Sequence, residues 1–505
     1  MDASDYVVGS WLFLRGLGLI YLIAFTSLGV QVRGLIGQRG ILPAAEHLAR
    51  LRWLGRRRYW RAPTVLHLVG GSDRALLLVC WGGAAAAALA TVGLFALPAL
   101  AVCWLCYLSL EVVCRDFLSF QWDALLLEMG VLGLLLAPFS PLPEGPLRAP
   151  APLALLLLWW LAFRLVFSSG VVKLASGDPS WRGLTAMCHH YETQPLPSPL
   201  SWYAHHLPRC WHRLETFATL VLELVVPLGM FAPQPWRGMA AATIALFMCL
   251  VMATGNYGFF NLQTIVLMAP LIDDASYAQV LGLAAPAVPL AAAGWPGWVL
   301  APIALLLFAL SLCYLWLTLL PHTRLPRWLL RPLAALAPLR LASGYGLFAV
   351  MTTERPEIVI EASDDLEHWQ PYEFRYKPGA PQRRPRWNLP HQPRLDWQLW
   401  FAALGTLWQH PWFAALMQRL LQASPEVRAL FARAPFGQRP PRYVRAVLYD
   451  YRFSSPELRR RTGAWWQRRR LGLYCPPLTL RGGEVLVVRT LTESGEPTPG
   501  PPPEG

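Results

Sequence analysis

Between Cys188 and Glu215 the sequence gathers five of the chain's eleven histidines, His189, His190, His205, His206 and His212, together with Cys188, Glu192, Cys210 and Glu215. All are acceptable zinc ligand types, and an imidazole beside a carboxylate is common equipment for acid–base catalysis. The spacing argues against a metal centre. Adjacent residues such as His189 and His190 do not aim easily at one ion, and neither H-E-x-x-H nor paired C-x-x-C spacing occurs. The plainer reading is a proline-rich interfacial loop, with its imidazoles and the rings of Trp202, Tyr203 and Trp211 at headgroup level, where amphipathic rings are favoured. Cys188 and Cys210 flank that loop and would form a disulfide if it faced an oxidising compartment. No P-loop, G-x-S-x-G elbow or dinucleotide fingerprint is found. No catalytic residue, metal or cofactor is therefore assigned, and the chain is not read as an enzyme.

A second set of titratable residues sits inside apolar runs, where each charge costs at least about 2.5 kcal/mol and normally pairs or faces a protein-lined cavity. Glu111 and Arg115 stand four apart and can pair on one helical face. Asp116, Asp123 and Glu128 follow, and Arg164 is a natural partner for one of them; Glu223 stands alone within "LVLELVVP". The set Glu111, Arg115, Asp123, Glu128, Arg164 and Glu223 reads as a buried network that fixes helix packing, with a catalytic or transport site as the other possibility.

The elements that must position these groups are membrane spans. The 505 residues are 55% hydrophobic and only 15% charged, a composition foreign to ordinary soluble proteins. Apolar runs long enough to cross a hydrocarbon core fall at about 11–31, 75–97, 99–114, 120–139, 152–174, 216–232, 237–254, 259–290 and 298–320. The eighth is interrupted by Asp273 and Asp274, so eight to ten spans are expected, with a polar loop at 175–214. The first apolar run lacks a basic n-region and a small-residue cleavage site, and reads as a retained span. Nucleic-acid binding is excluded: the basic excess is almost wholly arginine, and no recognition module carries it. Membrane lipid is the simpler partner for that charge. "CWLC" at Cys103–Cys106 has redox spacing, but an apolar span suppresses the thiolate.

The loop at 32–74 carries nine arginines and by the positive-inside rule would stay cytoplasmic. After a connector at 321–343, strand-like alternation begins at about Gly344. "EIVIEAS", "PYEFRY" and "VLYDYRF" read as half-buried strands, giving a soluble, strand-rich α+β or β-sandwich-like domain over 344–485. Between the strands, "RLDWQLWFAALGTLWQHPWFAALMQRLLQAS" is helical in period with a broad aromatic face. Packing within its own domain is one reading; a client-covering surface formed by Trp397, Trp400, Phe401, Trp408 and Trp412 is the other. The tail at 486–505 is disordered by composition.

Longer strings carry a resemblance. "FSSGVVKLASGDPSWRGLTAMCHHYETQPLPSPLSWYAHHLPRCWHRLETF", "SFQWDALLLEMGVLG", "GQRGILP", "GYGLFAVMTTERPEIVIEASDD" and "PFGQRPPRYVRAVLYDYRFS" resemble the lipase maturation factor family over about residues 10–480. The resemblance implies a polytopic membrane protein that assists folding or assembly of secreted lipases or related hydrolases in the endoplasmic reticulum. It also implies that the first loop and the C-terminal domain face the lumen, or the periplasm if the protein sits in a bacterial inner membrane. The first-loop arginines argue the opposite. Within the loop it directs attention to Trp181, His189, His190, Tyr191, Glu192, Gln194 and Pro195 as a functional segment. In architecture alone the chain is also distantly similar to vitamin K-dependent carboxylases, in which reading Lys173, His189 and His190 would act as bases in quinone-linked chemistry. A small-molecule transporter is a third alternative.

Overall fold

The structure is a computed structural model that describes residues 2–283, 294–320 and 323–488. It divides into two compact units, each described by itself below.

The first unit, Met1–Val30, Ala45–Thr353 and Arg386–Pro393, is a helix bundle. Its long apolar runs become helices α1 (Val7–Gly29), α2 (Asp73–Val92), α3 (Ala96–Cys114), α4 (Gln121–Leu136), α5 (Pro152–Ala175), α6 (Arg209–Leu224), α7 (Trp236–Thr254), α8 (Phe260–Met268) and α9 (Gly297–Leu319). Seven of these, with their short flanking turns, are long and apolar enough to cross a membrane, and the chain is an integral membrane protein. Local signals set their ends. The backbone N–H groups of Val7 and Val8 donate to the Asp274 carboxylate at 3.1 and 2.8 Å, an anion placed at the positive end of α1. The Ser72 hydroxyl caps α2, which stops at Gly93 in the left-handed region, where glycine carries no Cβ penalty.

Hydrogen bonds sort the helix ends into two sets. At one end the Trp11 indole donates to Glu144 O, Arg15 to Ala90 O, Phe95 N to Pro141 O, and Trp295 to Leu134 O. At the other, Val65 N donates to the Ser109 hydroxyl, Gly346 N to Gln121 Oε1, and Lys173 to Leu347 O. Helix α4, at 16 residues about 24 Å long, runs from Gln121 at the second end to Leu134 at the first. Helix α8 with its 3-10 extension, Phe260–Leu271, belongs to the shorter apolar helices and also joins the two ends. The expected eighth span is thus two elements: α8, then a helix Asp274–Leu281 capped by Asp273. Residues 284–290 of that expected span lie outside the described residues.

The second unit comprises Gln31–Ala44, Glu354–Pro385 and the chain from Arg394 onward. Its five strands, β1 (Pro356–Ser363), β2 (Gln370–Pro371), β3 (Tyr443–Phe453), β4 (Trp466–Arg481) and β5 (Glu484–Val487), form one sheet in the order β2-β1-β3-β4-β5. Every neighbouring pair is antiparallel. Helices α10 (Arg394–Ala403) and α11 (Pro411–Leu421) pack on it, α10 against β1 and α11 against β3 and β4. Of the two forms expected, this is α+β, with a single sheet among the described residues. The alternation of "VLYDYRF" is interrupted by register shifts at Val444–Val447 and Leu448–Tyr449, so Val444, Ala446 and Val447 are all buried, as are Tyr451 and Phe453. The expected tail overlaps β5 at its start; residues 489–505 lie outside the described residues.

Two sequence expectations need correction here. Strand structure begins at Pro356, not Gly344. Trp397, Trp400 and Trp412 are 3%, 8% and 2% exposed and cannot form a client surface, because the apolar face they share is turned into the domain. Only Phe401 and Trp408 of that set are exposed. The Gln31–Ala44 segment of the basic first loop packs into this unit: Arg39 and Arg33 bind Glu426 at 2.7 and 3.4 Å, and Arg419 Nε donates to Gly40 O at 2.9 Å.

Candidate functional site

The polar groups that the spans bury lie largely at the second end of the bundle, and they bind a strap of chain that follows α9. Residues 340–351 of this strap are laced onto the helices almost residue by residue. Arg340 Nε donates to Glu111 at 3.0 Å, and Ser343 N and the Tyr345 hydroxyl donate to Glu128 at 3.0 and 2.5 Å. Arg164 pairs with Glu128 and donates to Ser343 O at 3.0 Å. Lys173 donates to Leu347 O at 3.0 Å, the Trp181 indole to Phe348 O at 2.9 Å, and the Ser176 hydroxyl to Ala349 O at 2.7 Å. Asp178 closes the series by accepting from Met351 N at 2.5 Å.

These contacts revise the expected pairings. Glu111 binds Arg340 rather than Arg115, because α3 ends at Cys114 and Arg115 adopts a left-handed φ of 50°, which breaks the one-turn spacing that pairing needs. Asp123 accepts from the Tyr107 hydroxyl at 2.6 Å. Glu223 does not stand alone: Lys173 Nζ lies 3.0 and 2.7 Å from its two oxygens. Only the Glu128–Arg164 pair matches the sequence reading directly.

The histidine-rich loop is ordered, and its central stretch is turned inward. Short helices at Pro179–Arg182, Met187–Thr193 and Ser201–His205 bracket a stretch from Tyr191 to Pro199 in which every residue is buried. That stretch caps the broken end of α7. Thr254 O accepts from Gln194 Nε2 at 2.8 Å and from the Ser201 hydroxyl at 2.7 Å, while the Ser198 hydroxyl donates to Ala253 O at 3.0 Å. Non-helical backbone within a membrane protein is tolerated where protein groups satisfy it, and this loop supplies them. Gly255 is required by the close approach: a Cβ there would lie 2.3 Å from Gln194 Oε1.

The loop histidines turn to separate partners. His190 Nε2 lies 3.3 Å from the Tyr257 hydroxyl, His206 Nδ1 2.6 Å from Trp202 O, His212 Nδ1 2.9 Å from Glu215 and His205 Nε2 3.7 Å from Glu192. Burial, then the Lys173 charge, pulls the His190 imidazole down to about 4. Trp202 is buried, whereas Tyr203 and Trp211 are exposed. The nine cysteines are free, so the expected Cys188–Cys210 bridge is not formed.

Helices α5 to α8, the loop and the strap enclose a cavity of about 400 Å³. Trp181, His190 and Tyr191 of the expected functional segment line it; His189, Glu192, Gln194 and Pro195 do not. Sequence reasoning did not single out Tyr257, Asn261 and Phe348, which line it too. Phe348 takes a φ of 53°, a strained region for a bulky side chain. Its ring lies edge-on to His190 and Tyr257, with centroids 5.2 and 5.9 Å away.

Two family models cover this architecture: the lipase maturation factor transmembrane domain over residues 8–279, and the lipase maturation factor C-terminal domain over residues 341–476. The chain belongs to the lipase maturation factor family. Lipase maturation factor 2 of Rattus norvegicus is 36% identical, with 97% of this chain and 86% of the relative aligned. Lipase maturation factor 2 of Homo sapiens is 36% identical, covering 97% and 85%. Lipase maturation factor 1 of Bos taurus is 36% identical, covering 95% and 91%. No solved structure matches. The C-terminal family model opens on the strap and ends within β4, so the segment laced onto the bundle and strands β1 to β3 fall within one family domain.

Proposed function

We propose that the chain is a membrane-embedded maturation factor for secreted lipases or related hydrolases, acting by physical contact with folding clients and not by catalysis. The observation that carries this reading is the match to lipase maturation factors along nearly the whole chain, bundle and C-terminal domain together. That match favours this reading over a carboxylase-like enzyme or a transporter.

A factor of this kind covers apolar surface on folding intermediates, and needs accessible apolar side chains held on a rigid element. The turn between α10 and α11 offers them: Phe401, Leu404 and Trp408 are 38%, 44% and 69% exposed, while Trp397, Trp400 and Trp412 anchor the turn beneath. The client-facing set is thereby narrowed to Phe401, Leu404 and Trp408. The C-terminal domain and the Gln31–Ala44 segment face the compartment in which secreted clients fold, lumenal or periplasmic.

The test is co-expression with a secreted homodimeric lipase. Trp408→Ala with Phe401→Ser is expected to lower the specific activity of the secreted lipase about tenfold, the effect of losing one good apolar contact, while the factor's own melting temperature is unchanged. Unaltered lipase activity from that variant, or from a deletion of the whole gene, would refute the proposal.

A further inference from the structure

The cavity between α5, α6, α7 and α8 has an apolar wall and a polar floor. Leu165, Val166, Leu222, Phe247, Val251 and Phe260 supply the wall; Lys173, Glu223, Tyr257, Asn261 and Thr264 supply the floor. The floor is deeply buried, with Asn261 1%, Thr264 2%, Lys173 3% and Tyr257 4% exposed. Trp211 and Leu250, which also line the cavity, are 49% and 60% exposed on α6 and α7. The opening therefore lies on apolar helix faces of the kind that meet lipid.

Asn261 is the unexplained group. Neither its amide nitrogen nor its amide oxygen has a hydrogen-bond partner, and an orphaned buried amide costs roughly 1–3 kcal/mol. The other floor groups are engaged. Lys173 donates to Ser169 O, Leu347 O and Glu223, Thr264 donates to Phe260 O at 3.2 Å, and Tyr257 donates to Gln194 Oε1 at 3.0 Å. Asn261 thus presents an amide NH2 and an amide oxygen without partners, while the Lys173 and Glu223 charges neutralise each other and Glu215, the other carboxylate of the lining, is taken up by Tyr191, Trp211 and His212.

We propose that this cavity holds one uncharged, single-chain amphiphile drawn from the lipid phase, with a hydroxyl or carbonyl head on Asn261 and its chain running out past Trp211 and Leu250. A cavity of about 400 Å³ lies within the roughly 300–1,000 Å³ of small-molecule sites, enough for a small head and the first part of one chain. A phosphate or carboxylate head fits poorly. It would enter a floor whose only lysine is already bound to Glu223, and an unpaired buried charge is costly. A head that both donates and accepts fits the amide. This inference does not depend on the identity of any protein client.

The experiment is native mass spectrometry of the purified full chain, with 1-monooleoylglycerol as the probe and oleate and phosphatidylglycerol as comparison arms. One equivalent of the monoacylglycerol is expected to stay bound, with at least about tenfold weaker retention of either anionic lipid. Asn261→Leu and, at the wall, Ala218→Trp are each expected to reduce retention about tenfold, the loss of one specific contact. Equal retention by Asn261→Leu, equal retention of the anionic lipids, or no stoichiometric lipid on the wild type would overturn the assignment. Photocrosslinking of the wild type with a diazirine-bearing monoacylglycerol keeps the question open to decision if a variant misfolds. Crosslinks on α5 to α8 support the site, and crosslinks confined to other helices refute it.

Discussion

Lys173 and Glu223 are fifty residues apart in the chain and in contact in the fold, each removing the other's desolvation penalty. Breaking such a pair from one side leaves an uncompensated buried charge, at a cost of about 3–5 kcal/mol, whereas replacing both partners with apolar groups is close to neutral. Lys173→Met alone is therefore expected to lower thermal stability sharply, and Lys173→Met combined with Glu223→Leu to recover most of the loss; equal melting temperatures for single and double variants would contradict the pairing. His190 gives a second prediction. Its folded pKa is lowered to about 4, while an unfolded histidine takes a proton near 6.5. The unfolded state binds more protons between these values, so stability falls as pH drops from about 6.5 to 4. His190→Gln removes that term. Its melting temperature relative to wild type is expected to rise over the same range, and a constant difference would show that His190 does not stay neutral. Both residues were legible as candidates, Glu223 as a charge in an apolar run and His190 as one of a cluster. Their pairings were not, because Lys173, Tyr257 and Phe348 come from separate segments and no local spacing links them.

Helices leave a strong trace in sequence when their burial is in lipid, since every face can be apolar, and runs at 75–97, 152–174 and 237–254 correspond closely to α2, α5 and α7. Irregular elements leave little. The strap at 340–351 lacks helical or strand period because its backbone groups bond to Glu128, Gln121, Lys173 and Asp178, none of them nearby in sequence. The burial of the Tyr191–Pro199 stretch was equally hidden, since proline and histidine content reads as surface. The Gln31–Ala44 segment is the third such element, and Glu426 ties it down. Burial by itself would raise the Glu426 carboxyl, but its own backbone N–H, Arg39 and Ser424 hold it below its ordinary value. The stabilisation is thus present above about pH 4.5 and lost as pH falls through the lower folded value. Hydrogen bonds between charged groups are worth about 1.5–3 kcal/mol. Glu426→Gln is expected to speed amide exchange in residues 31–44 about tenfold or more at neutral pH, measured by hydrogen–deuterium exchange. Exchange unchanged from wild type would mean that the segment is held by its other contacts, such as the hydrogen bonds of Arg419 to Gly40 O and of Ser424 to Arg39 O.

At the scale of the whole molecule, chain tracing and charge counting give different answers about sidedness. Nine arginines in the first loop favour a cytoplasmic location, yet the start of that loop belongs to the same compact unit as the soluble sheet. A water-soluble unit cannot straddle a bilayer, so the two must lie on one side. Among the described residues six of the intervening helices, α2, α3, α5, α6, α7 and α9, are long and apolar enough to cross, an even number whose parity the shorter pair α4 and α8 leaves unchanged. The arginines have structural work to do there: Arg33 and Arg39 bind Glu426. Charge counts of this kind act mainly through short loops and carry little authority over whole domains. In a cysteine-free background, single cysteines at Gln38 and Thr462, both exposed, are expected to react with an impermeant maleimide from the same side of sealed vesicles. A cysteine at Gly145, exposed beside the Glu144 carbonyl that Trp11 and Arg15 bind, is expected to react only from the other side. If Gln38 and Thr462 were labelled from opposite sides, the shared unit would be wrong; if both were labelled from the cytoplasmic side, the unit would stand, and the proposed contact with secreted clients would fall.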